Sequence, residues 1–175
     1  AVPASGLSTI TGTGAAISTV IGDTGITKAT DFAATVSGTP TVTELNTINA
    51  ATTGVITASI SGTASDLAGL TAGNNAYTVT LSGTSAAASD LSAISAATTV
   101  AVPASGLSTI TGTGAAISTV IGDTGITKAT DFAATVSGTP TVTELNTINA
   151  ATTGVITASI SGTASDLAGL TAGNN

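Results

Sequence analysis

Residues 1–75 recur letter for letter as residues 101–175, so the chain repeats itself with a period of 100 residues. No other feature constrains the fold as strongly. Unchanged copies of a segment must adopt the same local structure, and their apolar faces must be buried in equivalent ways. The chain therefore divides into a first tandem unit, residues 1–100, and an identical but truncated second unit, residues 101–175. Identity this complete fits a duplication that is recent, one kept uniform, or one introduced by design.

The unit contains a shorter motif. Four β-like stretches end alike: STITGT (8–13), ATVSGT (34–39), ASISGT (58–63) and TVTLSGT (78–84). A branched residue or Leu precedes each Ser/Thr-Gly-Thr, at Ile10, Val36, Ile60 and Leu81, and the next copy begins at Ile110. The successive gaps are 26, 24, 21 and 29 residues. Each stretch leads into apolar residues at helical spacing: Ile17, Val20 and Ile21; Val42, Leu45 and Ile48; Leu67 and Leu70; Leu91 and Ile94. Thr41 with Glu44, and Thr63 with Asp66, have the capping-box spacing, in which a hydroxyl accepts from the N3 amide and the N3 carboxylate reaches back. TELNTINAATT (43–53) also matches SDLSAISAATT (89–99) at both apolar positions and through the AATT that follows.

The reading is strand, tight Gly turn, short helix, loop, next strand. Steps begin near residues 8, 34, 58, 78, 108, 134 and 158. One such step cannot bury its apolar face alone, but stacked steps can. Strands joined through helices pair in parallel by right-handed crossovers. The expected fold is an α/β repeat solenoid, a parallel β-sheet with one short helix per step of ~25 residues. A longer coil of two strands and two helices per turn is a variant. The alternative is an array of all-β immunoglobulin-like domains, with TVSGTPTVT and NAYTVTLSGT as hairpin strands. The capping boxes and the three-residue apolar spacing favour the solenoid. Packed helices need about 8–10 Å where strands need about 4.8 Å, so the stack should curve unless small residues bring the helices together.

Composition narrows function. Hydrophobic residues are 42% of the chain and aromatics 2%, the latter being Phe32, Tyr77 and Phe132. Ser and Thr make up roughly a third of the chain, above typical usage. The net charge is −7, and Lys28 and Lys128 are the only basic residues. That excludes a surface for tracking phosphates, so no nucleic-acid partner is expected. No apolar run reaches the ~18 residues that cross a bilayer, so no membrane insertion is expected either. The chain opens AVPASG, without Met or a basic leader, and is expected to be an internal stretch of a longer array.

Chemistry is thin. The chain has no His and no Cys, the residues that most often serve as bases, nucleophiles and transition-metal ligands. It is expected not to be an enzyme. No catalytic, cofactor-binding or metal-ligating residue is assigned, and no cofactor. Glu44 and Asp66 read as helix caps, with Asp90 in the same role. Asp23 and Asp31 flank Lys28; they read as turn carboxylates, one of them pairing with Lys28, ahead of a calcium site, which needs several converging oxygens. The string GTG at 12–14 lacks the rest of a phosphate loop.

TVTELNTINAATTGVITASISGTASDLAGL resembles repeats in giant Ala/Thr/Gly-rich tandem-repeat cell-surface proteins of marine cyanobacteria, and related bacterial secreted repeat adhesins. The resemblance spans essentially the whole chain. It implies an extracellular or cell-surface location and a segment of a filament, stalk or surface coat. It brings no catalytic residue with it, and the Gly-Asp nonapeptides of calcium-binding repeats are missing. The expected partners are neighbouring repeats of the same chain and further copies, self-associating into fibres or sheets. The alternative function is an adhesin or a carbohydrate- or ice-binding surface module. Ice binding ranks low, because no Thr-x-Thr ladder recurs at constant spacing along the sequence.

Overall fold

The computed structural model describes residues 1–173. In the first unit the chain forms β1 (Val2–Ala4), β2 (Thr9–Thr13), α1 (Gly14–Gly22), β3 (Ile26–Lys28), β4 (Ala33–Ser37), α2 (Val42–Ala51), β5 (Ile56–Gly62), α3 (Ala64–Leu67), β6 (Ala76–Leu81), β7 (Ser85–Ala87) and α4 (Ala88–Ala97). The second unit repeats this order as β8 (Val102–Ala104), β9 (Thr109–Thr113), α5 (Gly114–Gly122), β10 (Ile126–Lys128), β11 (Ala133–Ser137), α6 (Val142–Ala151), β12 (Ile156–Ala158) and α7 (Ala164–Leu167). The architecture is α/β. Among the described residues, seven helices alternate with strands, every strand pair is parallel, and the sheets are open.

Every described helix except α4 starts at a Thr whose hydroxyl accepts from the N3 amide. At α2 the Thr41 hydroxyl accepts from the Glu44 amide at 3.2 Å, and the Glu44 carboxylate accepts from the Thr41 amide at 2.8 Å. Leu45 and Ile48 then face inward and are fully buried, each contributing about 2 kcal/mol relative to an exposed position. The box recurs at Thr63 and Asp66, although α3 is a single turn. The turn into α2 is made by Gly38, whose φ of +79° lies in the left-handed region that glycine enters without steric cost. A Gly turn is not general, however. Gly62 lies inside β5 and Gly12 inside β2, and both strands run straight into their helices.

Two sheets of four strands carry the core: β2-β4-β5-β6, and β7-β9-β11-β12. Alternate residues point inward, as Ile56, Ala58 and Ile60 do in β5, and meet a layer in which α1 packs on α2, α3 on α4, α4 on α5 and α5 on α6. TVSGTPTVT is thus a strand, a turn and a helix start, and the Tyr77 strand has parallel neighbours, so the all-β alternative is overturned. Ile10 pairs with Ala34, and Ala34 with Ile56. Successive steps are therefore direct neighbours, and the coil of two strands and two helices per turn is overturned with it.

The register departs from the motif alignment. Ile10 faces Ala34 rather than Val36, Val36 faces Ala58 rather than Ile60, and Ile60 faces Val79 rather than Leu81. Each step slips by two residues. A slip of two leaves every side chain on its original face, whereas a slip of one would turn the core outward. The accumulated slip is resolved in the fourth step, where two strands share the work. β6 pairs back onto β5, while β7 pairs forward onto β9. β6 also lies against β8, which pairs with β10. The column begun by β2 is thus continued by β8 and β10, and β7 opens a new column beside it. The short strands β1, β3, β8 and β10, three residues each, are absent from the motif pattern.

Candidate functional site

Glu44, Asp66, Asp23 and Lys28 are occupied with holding the fold. Asp66 Oδ2 accepts from the Thr63 hydroxyl at 2.6 Å and from the Thr63 amide at 3.2 Å. Those two bonds, the side-chain one first, hold its pKa below the usual carboxylate value. Asp90 sits in the first turn of α4, where a negative charge is favourable. It makes no capping box, because the N-cap position is Ala87 and has no hydroxyl. Here the expectation of an equivalent cap is corrected. The expected pairing of Lys28 with a carboxylate is corrected too. Its ammonium donates to three backbone carbonyls, Val20 at 3.0 Å, Asp23 at 2.9 Å and Ile26 at 2.9 Å, and so satisfies the end of α1. The Asp23 carboxylate instead accepts from the Gly25 amide at 2.7 Å. At the equivalent Lys128, burial pulls the ammonium below its ordinary pKa and the charge of Asp123 pushes it back up.

The AATT segments have a role that recurrence alone does not reveal. Thr52 follows α2, is buried, donates to the Phe32 carbonyl and accepts from the Gly54 amide at 3.0 Å. Thr98 follows α4, donates to the Tyr77 carbonyl at 3.0 Å and accepts from the Tyr77 and Val100 amides at 2.9 and 3.1 Å. The Thr52 hydroxyl clasps the end of α2 to the start of β4, and the Thr98 hydroxyl clasps the end of α4 to the start of β6. Gly54 completes the clasp: a Cβ there would lie 2.3 Å from the Phe32 carbonyl oxygen.

Among the described residues, no three His, Cys, Asp or Glu side chains come together. A cleft of about 640 Å³ lies where strands run into helices and is lined by Pro40, Thr41, Ser61, Asp66, Leu67 and Thr80. Its carboxylate is the capping one, so the cleft presents hydroxyls and no free base. No described helix is long and apolar enough to cross a membrane.

What the fold does assemble is an ordered face of hydroxyls. Every second residue of the four-stranded sheets points away from the helices. On that face Thr11 pairs with Thr35 and Thr35 with Thr57, and in the second unit Thr111, Thr135 and Thr157 align in the same way. Ser59 lies beside Thr78 and Ser61 beside Thr80. Rows are about 4.8 Å apart across strands and about 6.6 Å apart along them. The sequence has no Thr-x-Thr ladder at constant spacing, yet the paired strands bring these threonines into line. Unequal step lengths hide it in the sequence, but parallel pairing aligns the rows regardless of what each loop spends between them. Compared with protein-family models, curated proteins and solved structures, the chain matches none.

Proposed function

We propose that the chain is a structural segment of a long extracellular repeat protein, a solenoid of stacked strand–helix steps that builds a filament, stalk or surface coat. The observation that carries this reading is the succession of parallel strand–helix steps, which contribute Ile, Leu, Val and Ala to one core even though their strands form separate sheets. Supporting it, the carboxylates and ammonium groups described above are engaged in caps and carbonyl contacts, so the polar chemistry maintains shape. The hydroxyl-rich, lysine-poor surface and the resemblance to giant surface proteins support an extracellular setting. The proposal includes no enzymatic role.

Its test is length against copy number. Chains carrying one to four 100-residue units, measured by small-angle X-ray scattering, should lengthen by about 19 Å per unit if four strands stack at standard spacing. Separately folded beads would add about 30 Å or more per unit, and that result would sink the reading. A second reading is favoured by the hydroxyl rows: the face docks on an ordered, repeating ligand such as a polysaccharide surface or ice. A charge in the middle of each ladder, Thr35→Lys with Thr135→Lys, should abolish any thermal hysteresis or polysaccharide retention shown by the parent. A parent silent in both assays removes this second reading.

A further inference from the structure

The pairing of β4 with β5 leaves part of β5 open. The Ala34 amide donates to the Val55 carbonyl at 3.0 Å, and the Ser82 amide donates to the Gly62 carbonyl at 2.9 Å. In β5, therefore, the main-chain groups of Thr57, Ser59 and Ser61 face β4, and those of Ala58, Ile60 and Gly62 face β6. Pairing with β6 continues to Gly62, but pairing with β4 stops at Val36 and Ala58. The Ser59 carbonyl and both main-chain groups of Ser61 are left without a strand on that side. Local sequence keeps them so. A β4 that ran on would bring Gly38 and Pro40 to these groups. Gly38 instead leaves the sheet at a φ of +79°, and Pro40 has no N–H to give. No backbone bond links residues 38–40 to Ser59 or Ser61. The space beside this edge is the cleft of about 640 Å³ described above. It is lined by Pro40 and Val42 from the start of α2, by Ser59 and Ser61 from β5, and by Asp66 and Leu67 from α3. It lies inside the first unit, with β4, β5 and β6 all in place around it. Open α/β sheets bind ligands at this position, beyond the carboxyl ends of the strands.

We infer that this cleft binds an extended peptide segment bearing a lysine or arginine, supplied by a protein other than this one. The open edge selects the backbone. An acceptor at Ser59, then a donor and an acceptor at Ser61, match the main chain of a strand laid along β5 in the place that β4 vacates. Main-chain pairing supplies affinity in this mode, and the side chains supply specificity. Asp66 selects the charge. Capping engages its Oδ2 with Thr63, whereas its Oδ1 accepts no hydrogen bond within the chain. Val42 and Leu67, lining the same cleft, offer apolar contact to the stem of a long basic side chain. A second copy of this chain does not bring the cation. Lys28 and Lys128 are its only basic residues, and each ammonium donates to three carbonyls of its own fold. The net charge of −7 favours a basic partner further. The cleft residues recur with the 100-residue unit, so a partner with several basic segments would bind successive units with avidity.

The test adds acetyl-Thr-Thr-Lys-Thr-Thr-amide to the 175-residue chain, isotopically labelled over residues 1–100 and followed by NMR. Saturable shifts should appear at residues 38–41 and 59–62. The Ser61 amide, unpaired in the chain alone, should exchange at least about tenfold more slowly at saturating peptide, while Ile60 and Gly62 stay slow throughout. Two further peptides carry N-methyl groups, one on its second and fourth residues and one on its third and fifth. A strand turns alternate amides toward its neighbour, so one of the two should lose at least about tenfold in affinity and the other far less. Glu in place of the peptide's Lys should weaken binding by about tenfold through repulsion. Asp66→Asn keeps an oxygen for the Thr63 amide, so α3 persists, but it should weaken binding about threefold and flatten its salt dependence. The inference is overturned if saturating peptide leaves Ser61 exchange unchanged, if the two methylated peptides bind alike, or if neither charge change alters affinity. The length increment per unit is measured independently, so this inference can fall while the stacked-step reading stands.

Discussion

Tyr77 carries the only phenol of the chain, and the fold leaves it 1% exposed with its hydroxyl unpartnered. Burial pushes its pKa from 10.0 up to about 12. Because the folded value is the higher one, the contribution to stability is complete below pH 10 and is lost as pH rises from 10 through about 12. Tyrosinate absorbance and loss of helical circular dichroism should therefore appear together in that window. Tyrosinate appearing near pH 10 with the fold intact would contradict the burial. Tyr77→Phe removes an unsatisfied buried hydroxyl and should be neutral, or stabilising by up to about 1 kcal/mol, while flattening the alkaline transition. Residue roles were legible in the sequence where they are local. Thr41 with Glu44, and Thr63 with Asp66, complete their boxes within four positions, so spacing alone reveals them. The Thr52 and Thr98 clasps were not legible, because their partners lie 20 and 21 residues away. The carbonyl cradle of Lys28 was hidden for another reason. Spacing counts charges, and the backbone has none to count.

At the scale of elements, context governs extent. The residues of β5 and of β12 are the same, and so are their intrinsic propensities. Only the neighbouring strand differs, and with it the strand length. Segmentally labelled protein should show slow amide exchange at Ile60 and Gly62 and fast exchange at Ile160 and Gly162 within one folded molecule. Equal protection would mean that the sequence, not the neighbour, sets where the strand ends. The same dependence explains what the motif could and could not reveal. Strand starts were readable at each Ser/Thr-Gly-Thr stretch, since alternation and the following helix mark them. Pairing register was not. Motif similarity aligns Ile10 with Val36, but a shift of two residues keeps every side chain on its face, so alternation cannot choose between the two alignments. Strands of three residues such as β1 and β3 carry too few alternations to register as a pattern.

At the scale of the whole molecule, the fourth step makes the repeat unit asymmetric. β6 ends one column of strands and adjoins the next, so each unit of 100 residues moves the sheet one place sideways. The row of Thr11, Thr35 and Thr57 therefore crosses three strands before the column changes. That geometry suits a spacer more than a broad docking plane. The direction of the ladder has a mechanical consequence. The hydrogen bonds between steps lie along the line on which the steps are stacked. A pull on the two chain ends loads them one strand at a time, as a zipper is loaded, and not all together in shear. Under tension such a chain should yield gradually, with each detached step of about 25 residues paying out roughly 80 Å of slack. In a filament exposed to flow, that would make the protein a shock absorber rather than a rigid strut.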